Sequence, residues 1–171
     1  MVSWSLTVWA AGEKSAASDF QLLDGFERVG EWRAGATEDS DASVRTTEGA
    51  RGHSLTLSYE FRTAGVAYAR RALPLNLSKN FEMAFQLRGH APPSTFEVKL
   101  VDESGANVWW KQFRDYEFPD GWTTIRIRRN DIRFAWGPIE DHDLKTIASM
   151  EFVIVGATGD KGSVEFDTLE M

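Results

Sequence analysis

A side-chain period of two, repeated along most of the chain, is the constraint that any fold for this sequence must meet. Leu55, Leu57, Tyr59 and Phe61 alternate with Ser54, Thr56, Ser58 and Glu60. Phe81, Met83, Phe85 and Leu87 alternate with Glu82, Ala84, Gln86 and Arg88. The pattern returns at Phe96, Val98 and Leu100, at Ile125 and Ile127, at Met150, Phe152 and Ile154, and at Val164 and Phe166. A helix would scatter these residues around its circumference, whereas a strand gathers them on one face. Further strands are expected at residues 21–27, 43–47, 66–71 and 107–113. Turn residues stand between the runs, at 49–52, 89–93, 103–105, 119–121 and 159–162. About ten short strands broken this regularly predict an all-β fold, a two-sheet antiparallel β-sandwich of jelly-roll type. Residues 141–147 are the one stretch expected to be helical. No repeat or linker divides the chain, so a single β-sandwich domain is expected at 21–171, with a flank or an extra strand at 1–20.

Composition narrows the partners. The 171 residues suffice to bury a core without cross-links, and the absence of cysteine rules out disulfides and thiolate metal sites. A net charge of −7 argues against nucleic acid, which needs a basic surface, and against anionic lipid. No run approaches the length of a membrane span. Residues 1–17 lack a basic start and do not read as a signal peptide. Seven tryptophans imply either a large core or a binding surface built from rings.

The polar sides of the strands suggest where such a surface lies. Gln86, Arg88, Glu97, Lys99, Trp109, Lys111, Arg126, Arg128 and Glu151 all point outward in this reading. If their strands share one sheet, its outer face is a lattice of long hydrogen-bonding side chains with at least one ring. Sugars are held in that way, hydroxyls by planar donors and acceptors and the apolar C–H face by an aromatic platform. The competing reading is a solvated sheet face carrying cross-strand ion pairs. In Trp109-Trp110 the two rings must face opposite ways. Trp110 is assigned to the core, in phase with Val108, and Trp109 to the ligand face. Candidate ligand-binding residues are thus Trp109, Lys111, Arg126, Arg128, Gln86 and Arg88, with Tyr68, Trp136 and His90 at edges or loops.

A series of short motifs resembles a known family. Leu23-Asp24-Gly25-Phe26-Glu27 is similar to an opening D-x-F-E, and Gly52-His53-Ser54-Leu55-Thr56-Leu57 to a G-x-S-L-x-L strand. Leu75-Asn76-Leu77-Ser78 stands where the family has D-L-S, and residues 81–89 form a strand ending in Arg-Gly. Val98-Lys99-Leu100-Val101-Asp102 with Gly105 matches L-x-D-x-x-G, Trp122-Thr123-Thr124-Ile125-Arg126-Ile127 matches W-x-x-v-x-i, and Asn130-Asp131-Ile132 follows. Gly162-Ser163-Val164-Glu165-Phe166-Asp167 matches a closing G-x-v-x-i-D. In order and spacing, residues 22–171 resemble family 11-like carbohydrate-binding modules and complex I intermediate-associated protein 30-like domains, both galactose-binding-like β-sandwiches. Asn76 and Thr168 depart from the pattern, which often has Asp and Asn there. The resemblance implies a non-catalytic module that docks a polysaccharide or oligosaccharide. It also implies a neighbouring catalytic domain of a glycoside-active enzyme and an extracellular or periplasmic setting. It further implies a structural calcium ion beside the opening and closing strands, with Glu27 and Asp167 as ligands and Asp24 as a third.

Signals for catalysis are thin. No sequence feature pairs two carboxylates across a cleft, as a glycosidase requires. His53, His90 and His142 lack zinc spacing, and no nucleophile elbow or phosphate loop is present. Asp141-His142-Asp143 reads as an exposed acidic turn. A protein-interaction or assembly domain using the same sheet face is the alternative, since exposed rings and arginines also make protein hot spots. A groove lined by a ring and arginines would favour sugar, a flat apolar patch protein, and a deep cleft with facing carboxylates an enzyme.

Overall fold

The computed structural model describes residues 20–171. The flank at 1–20 therefore lies, except for Phe20, outside the described residues. Among the described residues twelve strands form two six-stranded antiparallel sheets. In the first, β3 (Ser40–Glu48), β4 (His53–Phe61), β12 (Lys161–Glu170), β6 (Glu82–His90) and β9 (Thr123–Arg128) lie side by side in that order. The short β1 (Leu22–Asp24) adds to β12. In the second the order is β10 (Arg133–Trp136), β8 (Val108–Tyr116), β7 (Ser94–Val101), β11 (Thr146–Gly156), β5 (Gly65–Asn76) and β2 (Arg33–Ala36).

The period-two runs do what the pattern requires. Leu55, Leu57, Tyr59 and Phe61 of β4, Met83, Phe85 and Leu87 of β6, and Val164 and Phe166 of β12 form the inner face of the first sheet. Phe96, Val98 and Leu100 of β7, with Met150, Phe152 and Ile154 of β11, answer them from the second. Phe152 and Phe166 stack across the interior at 3.9 Å between ring centroids, and Phe85, Phe96 and Trp32 pack around that pair. Nearly all of these rings are fully buried, so each contributes on the order of 2–3 kcal/mol of apolar burial.

Asp24 ties the two layers together. Its carboxylate accepts the Trp32 indole N–H at 2.8 Å and the Phe26 backbone N–H at 2.7 Å, and it pairs with Arg71 of β5. Phe26 takes a positive φ of 54°, a strained turn that the Asp24 hydrogen bond holds closed.

Three expectations need correction. Residues 141–147 contain no helix: Asp141 caps its own turn by accepting the Asp143 N–H, and β11 begins at Thr146. A 3-10 turn at Arg129–Asp131 is the one helical element among the described residues. Two edge strands, β2 and β10, were not expected. Each is four residues long, too short for its alternation to register in the sequence.

Candidate functional site

The outward polar residues do not share one face. Gln86, Arg88, Arg126 and Arg128 lie on the outside of the first sheet, where each is committed to a neighbour. Gln86 donates to Thr124 Oγ1 at 2.8 Å, and Arg126 and Arg128 both hold Glu82, at 2.8 and 3.2 Å. Those hydrogen bonds keep the Glu82 carboxyl below the usual carboxylate range. Arg88 reaches Glu165 at 2.7 Å and lies over the Trp122 ring. Glu165 is buried and also accepts from Thr47 and Ser54. For the three arginines the cross-strand ion-pair reading describes what is seen, Gln86 makes a neutral cross-strand hydrogen bond, and the supposed single lattice is split between two sheets. A shallow groove of about 300 Å³ beside them is lined by Arg51, Gln86, Thr124, Arg126 and Glu170. His90 is exposed, 3.6 Å from Asp120 at the far end of β6.

The tryptophan doublet is phased the other way round. Trp109 is 2% exposed, packs edge-on against Phe134 and donates its indole N–H to the His142 carbonyl at 2.8 Å. It is a core residue, not a ligand platform. Burial of Val108 does not mark the inward phase: it faces outward, paired with the equally buried Val101 of β7 and with Trp136 of β10. Phe113, which stacks on Phe96, marks the inward phase of β8 and carries Trp109 with it. Lys111 shares that phase. Its ammonium sits 5.2 Å from the Phe113 ring, so it stands outside the outward row, at the rim of a depression beside Trp110.

The outer face of the second sheet carries the second group of residues. Register places Arg133, Trp110, Lys99, Glu151, Arg70 and Arg33 in one row that crosses all six strands. The next row holds Gln112, Glu97, Val153, Tyr68 and Gly35. Trp110 and Trp136 meet edge to face at 5.3 Å near one side, and the Lys99 ammonium lies 5.3 Å from the Trp136 ring. Trp136 is 46% exposed, an unusual state for so large a ring. At the other side Tyr68 lies across Gly35, where a Cβ would overlap its ring, with the Arg70 guanidinium 5.7 Å from its centroid. Gly35 is thus the seat on which the tyrosine rests.

Between the rings the polar groups are fixed by one another. Glu151 pairs with Arg70, Gln112 donates to Glu97 at 2.6 Å, and the Lys99 ammonium stands 3.1 Å from Glu97 Oε2. That last contact is electrostatic, since no aligned hydrogen bond reaches this buried oxygen. Beside Trp110 a depression of about 490 Å³ is lined by Lys111, Gln112, Arg114, Asp131 and Arg133. Of the ring and cation candidates read from sequence, Tyr68 and Trp136 are brought together here. Trp110, Arg70 and Gln112 are additions, and the phase set by Phe113 would have found Trp110.

The three acids proposed for calcium fall into two groups. Asp24 is spent on Arg71, Trp32 and the Phe26 amide. Glu27 and Asp167 both approach the turn between β3 and β4: Glu27 lies against Gly52, whose φ is +60°, and Asp167 against Gly49. Asp167 accepts the Arg51 N–H at 3.0 Å, and Glu27 contacts His53 Nδ1 at 3.0 Å, which lowers the Glu27 pKa. Among the described residues no three acidic, histidine or cysteine side chains cluster as a metal site. A cation here would therefore need carbonyl oxygens of that turn.

The chain matches no family model and no curated protein. Its fold matches solved structures over nearly its full length. The family 11 carbohydrate-binding module of the cellulosomal cellulase Lic26A-Cel5E of Clostridium thermocellum superposes with a TM-score of 0.72 at 22% identity, covering 91% of this chain and 95% of that one. A family 11 module from Clostridium thermocellum, in complex with a β-1,3-1,4-mixed-linked tetrasaccharide, gives 0.71 at 23% identity, with 88% and 94% covered. An exo-β-agarase gives 0.57 at 16% identity, but this chain spans only 25% of it. The two-sheet sandwich described above is therefore the fold of the family 11 carbohydrate-binding modules.

Proposed function

We propose that this protein is a non-catalytic carbohydrate-binding module that docks an oligosaccharide or polysaccharide chain on the outer face of its second sheet. One observation carries the reading: rings stand at both sides of a cross-strand ladder of preset hydrogen-bonding groups, Trp110 and Trp136 at one side and Tyr68 at the other. Trp110 and Tyr68 are three strands apart, about 14 Å, the reach of a short oligosaccharide rather than of one sugar. A ring takes the C–H face of a sugar, and Arg70, Lys99 and Gln112 are donors for its hydroxyls and ring oxygens. The ion pairs of Arg70 and Lys99 and the Gln112–Glu97 hydrogen bond hold these donors in place before the ligand arrives, so little ordering entropy is lost on binding. The tetrasaccharide held by a module of the same fold supports the ligand class.

The same geometry supports binding without hydrolysis. Glu97 and Glu151 are diagonal neighbours on adjacent strands of one open sheet, each engaged by a cation, and do not face one another across a cleft. A module of this kind works beside a glycoside-active catalytic domain, in the extracellular or periplasmic space where polysaccharides are met. Glu27, Asp167 and the carbonyls of the β3–β4 turn are the groups that would hold a structural calcium ion, which would cross-link the turn to β12. Its signature is a thermal midpoint raised by Ca²⁺ over EDTA, about 2.7 kcal/mol of stabilisation at a hundredfold excess over Kd.

The test is affinity electrophoresis through gels containing mixed-linked β-glucan, xylan, galactan or polygalacturonate, with Tyr68→Ala and Trp110→Ala beside the wild type. Retardation by one polysaccharide class that both substitutions abolish is expected. Free migration of folded wild-type protein in every gel would sink the reading and move the weight to a protein partner.

A further inference from the structure

Resting on the carbohydrate reading, we infer that the ligand is an acidic polysaccharide, one whose sugars carry carboxylates, and that Arg33 and Arg133 receive those carboxylates at the two ends of the cross-strand row.

The charge of this face runs against the charge of the chain. The protein as a whole is at −7, yet the row that crosses the second sheet holds Arg133, Lys99, Arg70 and Arg33 against the single carboxylate of Glu151. The inner cations are neutralised, Arg70 by Glu151 and Lys99 by Glu97. The outer two are not. Arg33 donates to the carbonyls of Gly30 and Trp32, at 2.9 and 2.8 Å, and Arg133 to the carbonyl of Asn130 at 2.5 Å. Neither forms an ion pair with a carboxylate among the described residues, though such pairs engage most of the other outward arginines discussed above.

Each of these carbonyl contacts is made through one guanidinium nitrogen, Nη1. It steadies the side chain and leaves the remaining N–H groups of a planar fork whose geometry matches a carboxylate. Six strands put the two arginines about 24 Å apart, with the rings and neutralised pairs between them. A neutral glucan would satisfy the middle of this row and leave both ends unanswered. A chain bearing a carboxylate on successive sugars answers both. The acid excess elsewhere on the surface disfavours a polyanion as dense as nucleic acid, while one charge per sugar is a lighter load.

The experiment measures binding of the full chain to polygalacturonate and to mixed-linked β-glucan at low and high salt, for the wild type, Arg33→Gln and Arg133→Gln. Polygalacturonate should bind more tightly, weaken as salt rises, and lose about tenfold in affinity in either variant, the worth of one charge-assisted hydrogen bond. Circular dichroism checks that both variants remain folded. Tighter, salt-insensitive binding of the neutral glucan would overturn this inference and leave the carbohydrate reading standing. Salt-sensitive binding of polygalacturonate with no dependence on either arginine would overturn it too, as charge attraction without a carboxylate seat. No binding to any polysaccharide would end both.

Discussion

Replacing Trp109 or Trp110 by alanine separates two residues that are neighbours in sequence and opposites in role. Trp109 is almost fully buried, with its ring against Phe134 and its N–H on the His142 carbonyl. Trp109→Ala leaves a cavity where the interior can collapse only in part, which costs about 3–5 kcal/mol. The orphaned carbonyl lies in a loop and can turn to water, so it adds little. At about 2–4 °C per kcal/mol for a domain of this size, the thermal midpoint should fall by about 6–20 °C. Trp110→Ala removes an outward ring whose main packing partner is the edge of Trp136, a loss of about 1–2 kcal/mol. Its midpoint should fall by only a few degrees, while affinity for the polysaccharide collapses. Differential scanning calorimetry and affinity electrophoresis on the same samples read both quantities. A Trp109→Ala variant that melts like the wild type and has lost binding would refute the assignment of the inward phase of β8, and with it the choice of face.

Three further outcomes follow from the same geometry. Asp24→Ala strips the partner from the half-buried Arg71 and unpairs the Trp32 indole, and should cost about 3 kcal/mol in urea denaturation, with no loss of ligand affinity in the protein that remains folded. Gly35→Ala leaves the fold intact, because the obstructed group is the far end of the Tyr68 side chain, but it unseats that ring; isothermal titration should show weaker binding without a change in melting temperature. Burial alone would raise the Asp102 carboxyl, but hydrogen bonds from Asn107 and Ser104 outweigh it and hold the group below its ordinary value of 3.8. A depressed folded pKa means that this carboxylate stabilises the β7–β8 turn above its unfolded pKa and that the contribution is lost as pH falls through the folded one. A carbon-detected titration of Asp102 should therefore show a low midpoint that moves up in Asn107→Ala.

The sandwich was legible because most strands are long enough to show their alternation, and because a strand buried on one side has no choice of phase once several apolar residues agree. Leu55, Leu57, Tyr59 and Phe61 leave no doubt which way β4 faces. The site was less legible for two physical reasons. Phase along a strand says in or out, but it does not say to which of two sheets the strand belongs, so Arg126 and Lys99 looked like neighbours while standing on opposite sides of the molecule. An outer face can also bury apolar residues of its own. Val101, Val108 and Val153 are as hidden as core residues because long side chains crowd over them, and Val108 thereby reversed the reading of the two tryptophans. Gly35 gave no signal at all, since its role is to be absent beneath a ring that is distant in sequence.

The row that crosses the second sheet runs at right angles to the chain, and this decides how such a surface can change over evolutionary time. Its six members come from six separate strands, so each can be exchanged by one codon without disturbing the backbone, and only direct partners such as Glu151 and Arg70 feel one another's loss. A loop-built site offers many substitutions but no fixed spacing. This row offers a fixed comb of positions, about 4.8 Å apart, in which charge, ring or amide can be set tooth by tooth while the core on the other side of the same strands goes unread.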